Sequence, residues 1–324
     1  MNTIVNNQLA KKSPLDNFIG QGSVRERLKV FAHSGRRIPP ILLTAPAGMG
    51  KNHVTEAFAE EAGAKLYHIN AVNLENSLIL NKFMKAPCSN NERSILLIDE
   101  SGEMKRRIDT AFLTCLEEPY TMETRIKAGK RIEVYRFQIP EHVSFLFATT
   151  HMGRLSKALI SRCIHLSFDD YEEDELSLIA KNHFDKNQFR VDAFALRSFA
   201  KISRSVRHLI QICDCAMIYG KHSIDSGVVS ETLKQLQLTE EGFTKQDIKL
   251  LNYLAGRNHA SERDCLAYLT MEKEEYGMIE AFLVKKECIE ISSRGRSITK
   301  NGLDAIGCDI TIFNNDVFGE KIEI

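Results

Sequence analysis

The stretch ILLTAPAGMGKN, residues 41–52, sets two glycines, Gly48 and Gly50, directly ahead of Lys51. Glycines at this spacing allow a tight turn that aims successive backbone N–H groups inward. A lysine opening the helix that follows can then reach the β- and γ-phosphates of a nucleotide. The chemistry that suits this pattern is the binding of a triphosphate such as ATP. Two positions depart from the usual G-x-x-x-x-G-K-[ST] loop: Ala45 stands at its first glycine and Asn52 at its metal-binding hydroxyl. Ala45 is tolerated wherever its backbone needs no positive φ. The amide oxygen of Asn52 is acceptable to a hard cation such as Mg2+, but this longer side chain must be held by a second contact. A metal displaced by ~1 Å costs on the order of 100-fold in rate, so hydrolysis is expected to slow if that contact is missing.

Asp99 and Glu100 supply the matching carboxylates. They end the run SILLIDE (94–100), with Asp99 lying 48 positions after Lys51. Asp99 is expected to hold magnesium directly or through water, and Glu100 to polarise the attacking water. Taken singly, each motif has an ordinary explanation: a glycine-bearing surface loop, or a strand running out into an acidic turn. Their order and spacing, each at the end of an apolar run, favour a nucleotide site.

A sheet has to carry these groups. ILLTA (41–45), KLYHIN (65–70), SILLIDE (94–100), VSFLFATT (143–150) and IHLSF (164–168) are continuous apolar runs separated by helical patterns. Such runs predict an α/β fold, a parallel sheet covered by helices on both faces. The large ATPase domain is expected over 15–168, preceded by a loose segment at 1–14. YEEDELSLIAKNHF, VDAFALRSFAKIS and VRHLIQICDCAMIYG are three amphipathic helical patterns with no convincing strand, so an all-α lid is expected over 169–238. Three further helical patterns precede CIEISSRGRSITKNGLDAIG, which reads as strand, basic turn, strand and short helix. A winged-helix domain is expected over 239–308, with no clear pattern in the tail 309–324.

The 43 basic and 43 acidic residues among 324 balance, so any grip on nucleic acid must come from local patches. Eight cysteines without a C-x-x-C pair argue for reduced thiols over a disulfide framework or a metal site. No apolar run approaches the ~18 residues of a membrane span. The N-terminal MNTIVNNQLAKKSP lacks the apolar core of a secretory signal. A cytoplasmic, non-membrane protein is expected.

Two basic patches stand out. Arg294 and Arg296 in SSRGRS, with Lys285, Lys286 and Lys300 nearby, are expected to contact DNA phosphates, which position a protein without reading sequence. A solvated charged turn is the plain alternative. RIKAGKRIEVYRF (125–137) alternates around Ala-Gly and predicts a β-hairpin insert over about 123–137. Its basic residues are Arg125, Lys127, Lys130, Arg131 and Arg136, against the single acid Glu133.

The chain resembles the RuvB family of AAA+ motors over about residues 15–307. The resemblance rests on LDNFIGQGSVRERL (15–28), APAGMGKN, LLIDES, ATTHMGRLSKALISR (148–162), SRSVRHLIQICDCA and SRGRSITKNGLDAIG. It implies that Ile19 and Tyr171 border the adenine, that Gly48, Gly50, Lys51 and His53 line the phosphates, and that Asn52 takes the metal-hydroxyl position. It also implies that Thr150 is the polar sensor beside Glu100, that Arg162 is an arginine finger acting on the neighbouring subunit's nucleotide, and that Arg207 is a lid arginine acting in cis. A planar guanidinium suits both arginine roles, because its donors match charge spread over phosphoryl oxygens. The family forms hexameric rings around duplex DNA and docks on RuvA, the junction-binding partner, through an apolar hairpin tip. Here the hairpin is basic, so it is expected to face DNA or a different, acidic recruiting protein. Ile291 stands where the family has a further wing arginine, and SGEM follows Glu100 in place of an Ile-His-type continuation. The expected function is an ATP-driven ring motor on duplex or branched DNA, in Holliday-junction branch migration or related recombination and repair. The alternatives are a nucleotide-switched loader or scaffold on DNA and, below it, a catalytically silent subunit of a mixed ring.

Overall fold

The computed structural model describes residues 13–128 and 131–313, with the side chains of 124–133, 135, 137 and 308–313 excepted. Most of the segment expected to be loose (1–12) and of the tail (314–324), and the hairpin-tip residues Gly129 and Lys130, lie outside the described residues. The chain divides into two compact units. One runs through Ile179 and regains Ser205–Arg207; the other holds Ala180–Arg204 and His208 onward.

In the first unit, the described residues begin at Ser13, two before the expected boundary. Its side chain accepts from the Asp16 N–H, and Pro14 occupies the first turn, so α1 (Pro14–Asn17) forms as a single capped turn. Next come α2 (Gly22–His33), β1 (Ile41–Thr44), α3 (Lys51–Glu61), β2 (Lys65–Asn70), α4 (Ser77–Ser89) and β3 (Ser94–Asp99). α5 (Arg106–Leu113) leads into a hairpin of β4 (Thr121–Ala128) and β5 (Arg131–Gln138), slightly longer than the alternation predicts. β6 (Val143–Thr149), α6 (Lys157–Ile160) and β7 (Ile164–Ser167) follow.

The five-stranded sheet is wholly parallel, in the order β2-β3-β6-β1-β7. The α/β expectation holds. β1, β3 and β6 read as unbroken apolar runs because they are central: Ile41, Leu42 and Leu43 are fully buried, as is every residue of β6. Phe112 of α5 meets Phe145 and Phe147 edge-on, with centroids 5.7 and 5.3 Å apart, the arrangement that ring quadrupoles prefer. Parallel strands share one C-terminal edge, where Thr44 pairs with Thr149 and Asn70 with Asp99. The loops leaving β1, β3 and β6 therefore meet at one end, the edge at which open α/β sheets take ligands.

α7 (Glu173–Lys186) starts in the first unit and ends in the second, which continues with β8 (Arg190–Val191), α8 (Ala193–Ile202), α9 (Val206–Tyr219), β9 (Ser223–Ile224) and α10 (Ser226–Leu236). α10 and the short parallel β8–β9 pair differ from the three-helix expectation. α10 is capped by Asp225, which accepts from the Gly227 and Val228 N–H groups, but it buries only Val229 and Thr232. So thin a stripe leaves little periodicity to read.

α11 (Lys245–Ala255) and α12 (Glu262–Leu269) each begin with a capping box, Thr244 with Asp247 and Ser261 with Asp264. α13 (Lys273–Lys285), the ribbon of β10 (Ile289–Ser292) and β11 (Gly295–Ile298), and α14 (Lys300–Phe313) complete a winged helix around Leu250, Leu254, Cys265, Tyr276 and Leu283. α14 is longer than the short helix expected. Within this unit Arg204 pairs with the fully buried Asp247 and lies 4.1 Å over the Phe282 ring. Among the described residues no helix is long and apolar enough to cross a membrane.

Candidate active site

The loop after β1 turns through Gly48 at φ +79° and Gly50 at φ +92°, conformations that penalise any side chain. A Cβ on Gly48 would also lie 2.9 Å from Arg207 Cβ and Ser205 Oγ. Ala45 is buried and is not among the positive-φ residues, so it replaces glycine without backbone strain. α3 opens at Lys51 beside a cleft of about 280 Å³, lined by Gly48, Lys51, Asn52, Asp99, Glu100 and Arg207 among others. His53 lines it as well.

Lys51 is 7% exposed, and its Nζ donates to the carbonyls of Ala45 (2.9 Å) and Pro46 (3.2 Å). Burial pulls its pKa below the ordinary lysine value; Glu100 and Asp99 oppose that shift and Arg207 adds to it.

Asp99 is held from three sides. Its Oδ1 accepts the Glu100 N–H at 2.9 Å, its Oδ2 accepts Asn52 Nδ2 at 2.8 Å, and His68 Nε2 stands 3.5 Å from that same oxygen. An ionised carboxylate only accepts, so the Asn52 amide nitrogen is committed to Asp99 and its carbonyl oxygen remains as a donor atom for a cation. The second contact that Asn52 requires is Asp99 itself. Glu100 has φ +48°, uncommon for a side-chain-bearing residue, and Thr150 Oγ1 donates to its Oε2 at 3.4 Å. Such backbone strain, of order 1–3 kcal/mol, clusters where a side chain must be aimed.

The Asp99 carboxylate and the Asn52 amide oxygen are hard donors that fit Mg2+, which binds through few protein ligands together with substrate phosphates. Among the described residues no group of three His, Cys, Asp or Glu is placed to hold a metal.

Tyr171 donates its hydroxyl to the Met49 carbonyl at 3.1 Å, and burial raises its pKa to about 12. Phe18 is buried beside Gly50, with its ring 5.7 Å from His53, and these two line a second cavity of about 540 Å³. Ile19 is half-buried and lines neither cavity, so Phe18 is the apolar neighbour of the loop.

Arg162 lies outside the cleft of its own chain. It donates to the Ala158 carbonyl (2.8 Å) and to Glu117 Oε2 (3.0 Å), with Nε 2.9 Å from Glu117 Oε1. Neither Glu117 nor His68 is singled out by the sequence. Glu117 lies 45 residues from Arg162 with no local signal, and His68 shows only as an alternate position of an edge strand.

On the winged helix, Arg294 is exposed in the two-residue turn between β10 and β11, and Lys285 and Lys300 are exposed at helix ends. Two of the expected DNA contacts have partners within the unit. Arg296 turns inward, its Nε 2.6 Å from Glu280 and its Nη2 3.3 Å from Glu262, so its charge is already matched. Lys286 donates to the Lys201 carbonyl at 2.9 Å and lies over Phe282. In the hairpin, Arg136 pairs with Glu123 at 2.6 Å. Lys130 and the side chains of Arg125, Lys127 and Arg131 lie outside the described residues.

Comparison with known proteins agrees with this geometry. The family model described as "Holliday junction DNA helicase RuvB P-loop domain" matches residues 11–167, and "RuvB C-terminal winged helix domain" matches 240–307, together more than half of the chain. The Holliday junction branch migration complex subunit RuvB of Campylobacter hominis is 25% identical over 323 residues, covering 96% of this chain and 94% of the relative. That of Treponema denticola is 27% identical over 310 residues, covering 90% and 88%. The solved Thermotoga maritima RuvB Holliday junction branch migration motor shares the fold, with a TM-score of 0.74 at 22% identity over 91% of this chain and 97% of that one. With its P-loop and winged-helix domains matched in order over more than half of its length, this chain belongs to the RuvB family.

Proposed function

We propose that the chain is an ATP-hydrolysing ring motor that moves duplex or branched DNA; its relatives are named as subunits of the Holliday junction branch migration complex. One observation carries this reading: Lys51, Asp99, Glu100 and Arg207 converge on a single cleft at the C-terminal edge of a parallel sheet.

ATP would enter with its phosphates over Gly48–Lys51. Lys51 would exchange the Ala45 and Pro46 carbonyls for phosphate oxygens, keeping its hydrogen bonds while gaining a charge partner. Arg207 would reach the phosphates from the same chain. Glu100, steered by Thr150, would accept the proton of the attacking water. Asn52 and Asp99 would hold Mg2+, which would supply positive charge to offset that of the phosphates. Tyr171 would brace the loop, with Phe18 and Ile19 toward the base. Arg162 would serve the nucleotide of the next protomer, released from or carried with Glu117, and this requires a closed homo-oligomer, a hexamer on family precedent. Arg294, Lys285 and Lys300 would touch DNA phosphates, and the basic hairpin would meet DNA or an acidic recruiting protein.

Steady-state ATP turnover with and without duplex DNA tests this. A motor shows DNA-stimulated turnover that both Glu100→Gln and Arg162→Ala abolish. The second reading, a nucleotide-switched loader, draws on the Asn52 substitution and predicts tight ATP binding with negligible turnover under either condition.

A further inference from the structure

Four side chains on the winged helix form one continuous stack. Tyr253 of α11 and Tyr268 of α12 lie face to face, with centroids 4.2 Å apart and planes 24° from parallel. The Arg257 guanidinium carbon sits 3.9 Å over the Tyr253 ring, and Lys249 Nζ sits 5.1 Å over the Tyr268 ring. Each ring has two faces. With one face of each ring turned to the other, the cations take the outer faces, and the order is Arg257, Tyr253, Tyr268, Lys249. Both cations are exposed. Lys245, also exposed, lies one turn before Lys249 on the same helical row as Tyr253.

We infer that this α11–α12 face is a second duplex-DNA contact, one that grips phosphates rather than bases and is separate from the wing tip. The inference rests on the proposed action on DNA. Several features favour nucleic acid phosphate as the occupant. The two basic side chains are held over aromatic faces, so less rotamer freedom is lost when an anion binds. No aromatic face remains open for a base to stack on, which excludes the mode typical of single-strand binders. Of the nearby acids, Glu262 is paired with Lys273 and Arg296, while Asp264, held by the Ser261 cap, offsets part of the positive charge of Arg257 and Arg263. Arg263 adds a further exposed positive charge beside Asp264.

The face is also continuous with the wing. Ala260, three residues after Arg257, exchanges two backbone hydrogen bonds with Arg296 of β11 at 2.9 and 2.8 Å, so the positive row runs on toward Arg294. Since Arg296 and Lys286 are spent on internal partners, the wing has fewer cations than its sequence advertises, and Lys249 and Arg257 add to them.

The test is duplex-DNA affinity of the full-length chain as a function of salt. Each phosphate contact contributes about 0.9 to the slope of log affinity against log salt, so Lys249→Gln with Arg257→Gln is expected to flatten that slope by about 1.8. Lys249→Arg with Arg257→Lys, which keeps both charges, is expected to restore it, excluding a folding defect. A slope unchanged in the glutamine pair while Arg294→Gln flattens it by about one contact overturns the inference, and is the outcome for a surface reserved for an acidic protein. A wild-type chain that retains no duplex at low salt overturns the proposed function as well.

Discussion

Asn52 donates its side-chain amide to Asp99 across 2.8 Å, so the residue that replaces the usual P-loop hydroxyl is fastened to the carboxylate at the end of β3. In the proposed site, asparagine would do with a longer arm anchored at its far end what threonine or serine does with a short hydroxyl.

Asn52→Ala is therefore expected to raise the magnesium concentration for half-maximal ATP turnover about tenfold, or ~1.4 kcal/mol of metal affinity. Asn52→Thr is expected to stay within about threefold of wild type, since a hydroxyl is a comparable hard donor. A magnesium titration of turnover checks both. An alanine variant that titrates like wild type would remove Asn52 from the metal site.

Arg204 and Asp247 predict a stability effect in the second unit. Asp247 is fully buried, accepts from the Thr244 N–H and hydroxyl, and pairs with Arg204. Arg204→Ala strands that carboxylate and is expected to cost on the order of 3 kcal/mol, read as a lower denaturant midpoint at constant slope. Arg204→Ala with Asp247→Asn is expected to lose less than the single change, because no unpaired buried charge is left.

His208 gives the pH dependence. Burial, with help from the Arg204 charge, lowers its pKa from 6.5 to about 4. Between those values the unfolded chain binds a proton that the folded chain refuses. The contribution is complete above about pH 6.5, lost as pH falls toward 4, and level below, with a slope of at most ~1.4 kcal/mol per pH unit. Denaturant midpoints from pH 7.5 to 4 are expected to fall less steeply for His208→Gln than for wild type; equal slopes would contradict the assignment.

The parts legible in the sequence are those set by burial and local geometry. β1, β3 and β6 show as apolar runs because neighbouring strands flank them on both sides, and the phosphate loop shows because only glycine takes the φ values at 48 and 50. What escaped depends on distant pairing. Arg296 looked free for DNA because Glu280 and Glu262 lie 16 and 34 residues away, and Asn52 looked unsupported because Asp99 lies 47 away. α10 went unread because two buried residues are too few to print a helical period.

The most direct measurement is ATP turnover of rings co-assembled from Glu100→Gln and Arg162→Ala chains, each inactive alone. If one protomer supplies Glu100 and its neighbour Arg162, an equimolar mixture regains turnover at about one site in four, where an intact glutamate faces an intact arginine. A mixture that assembles and stays as inactive as either variant would contradict a nucleotide site shared between protomers.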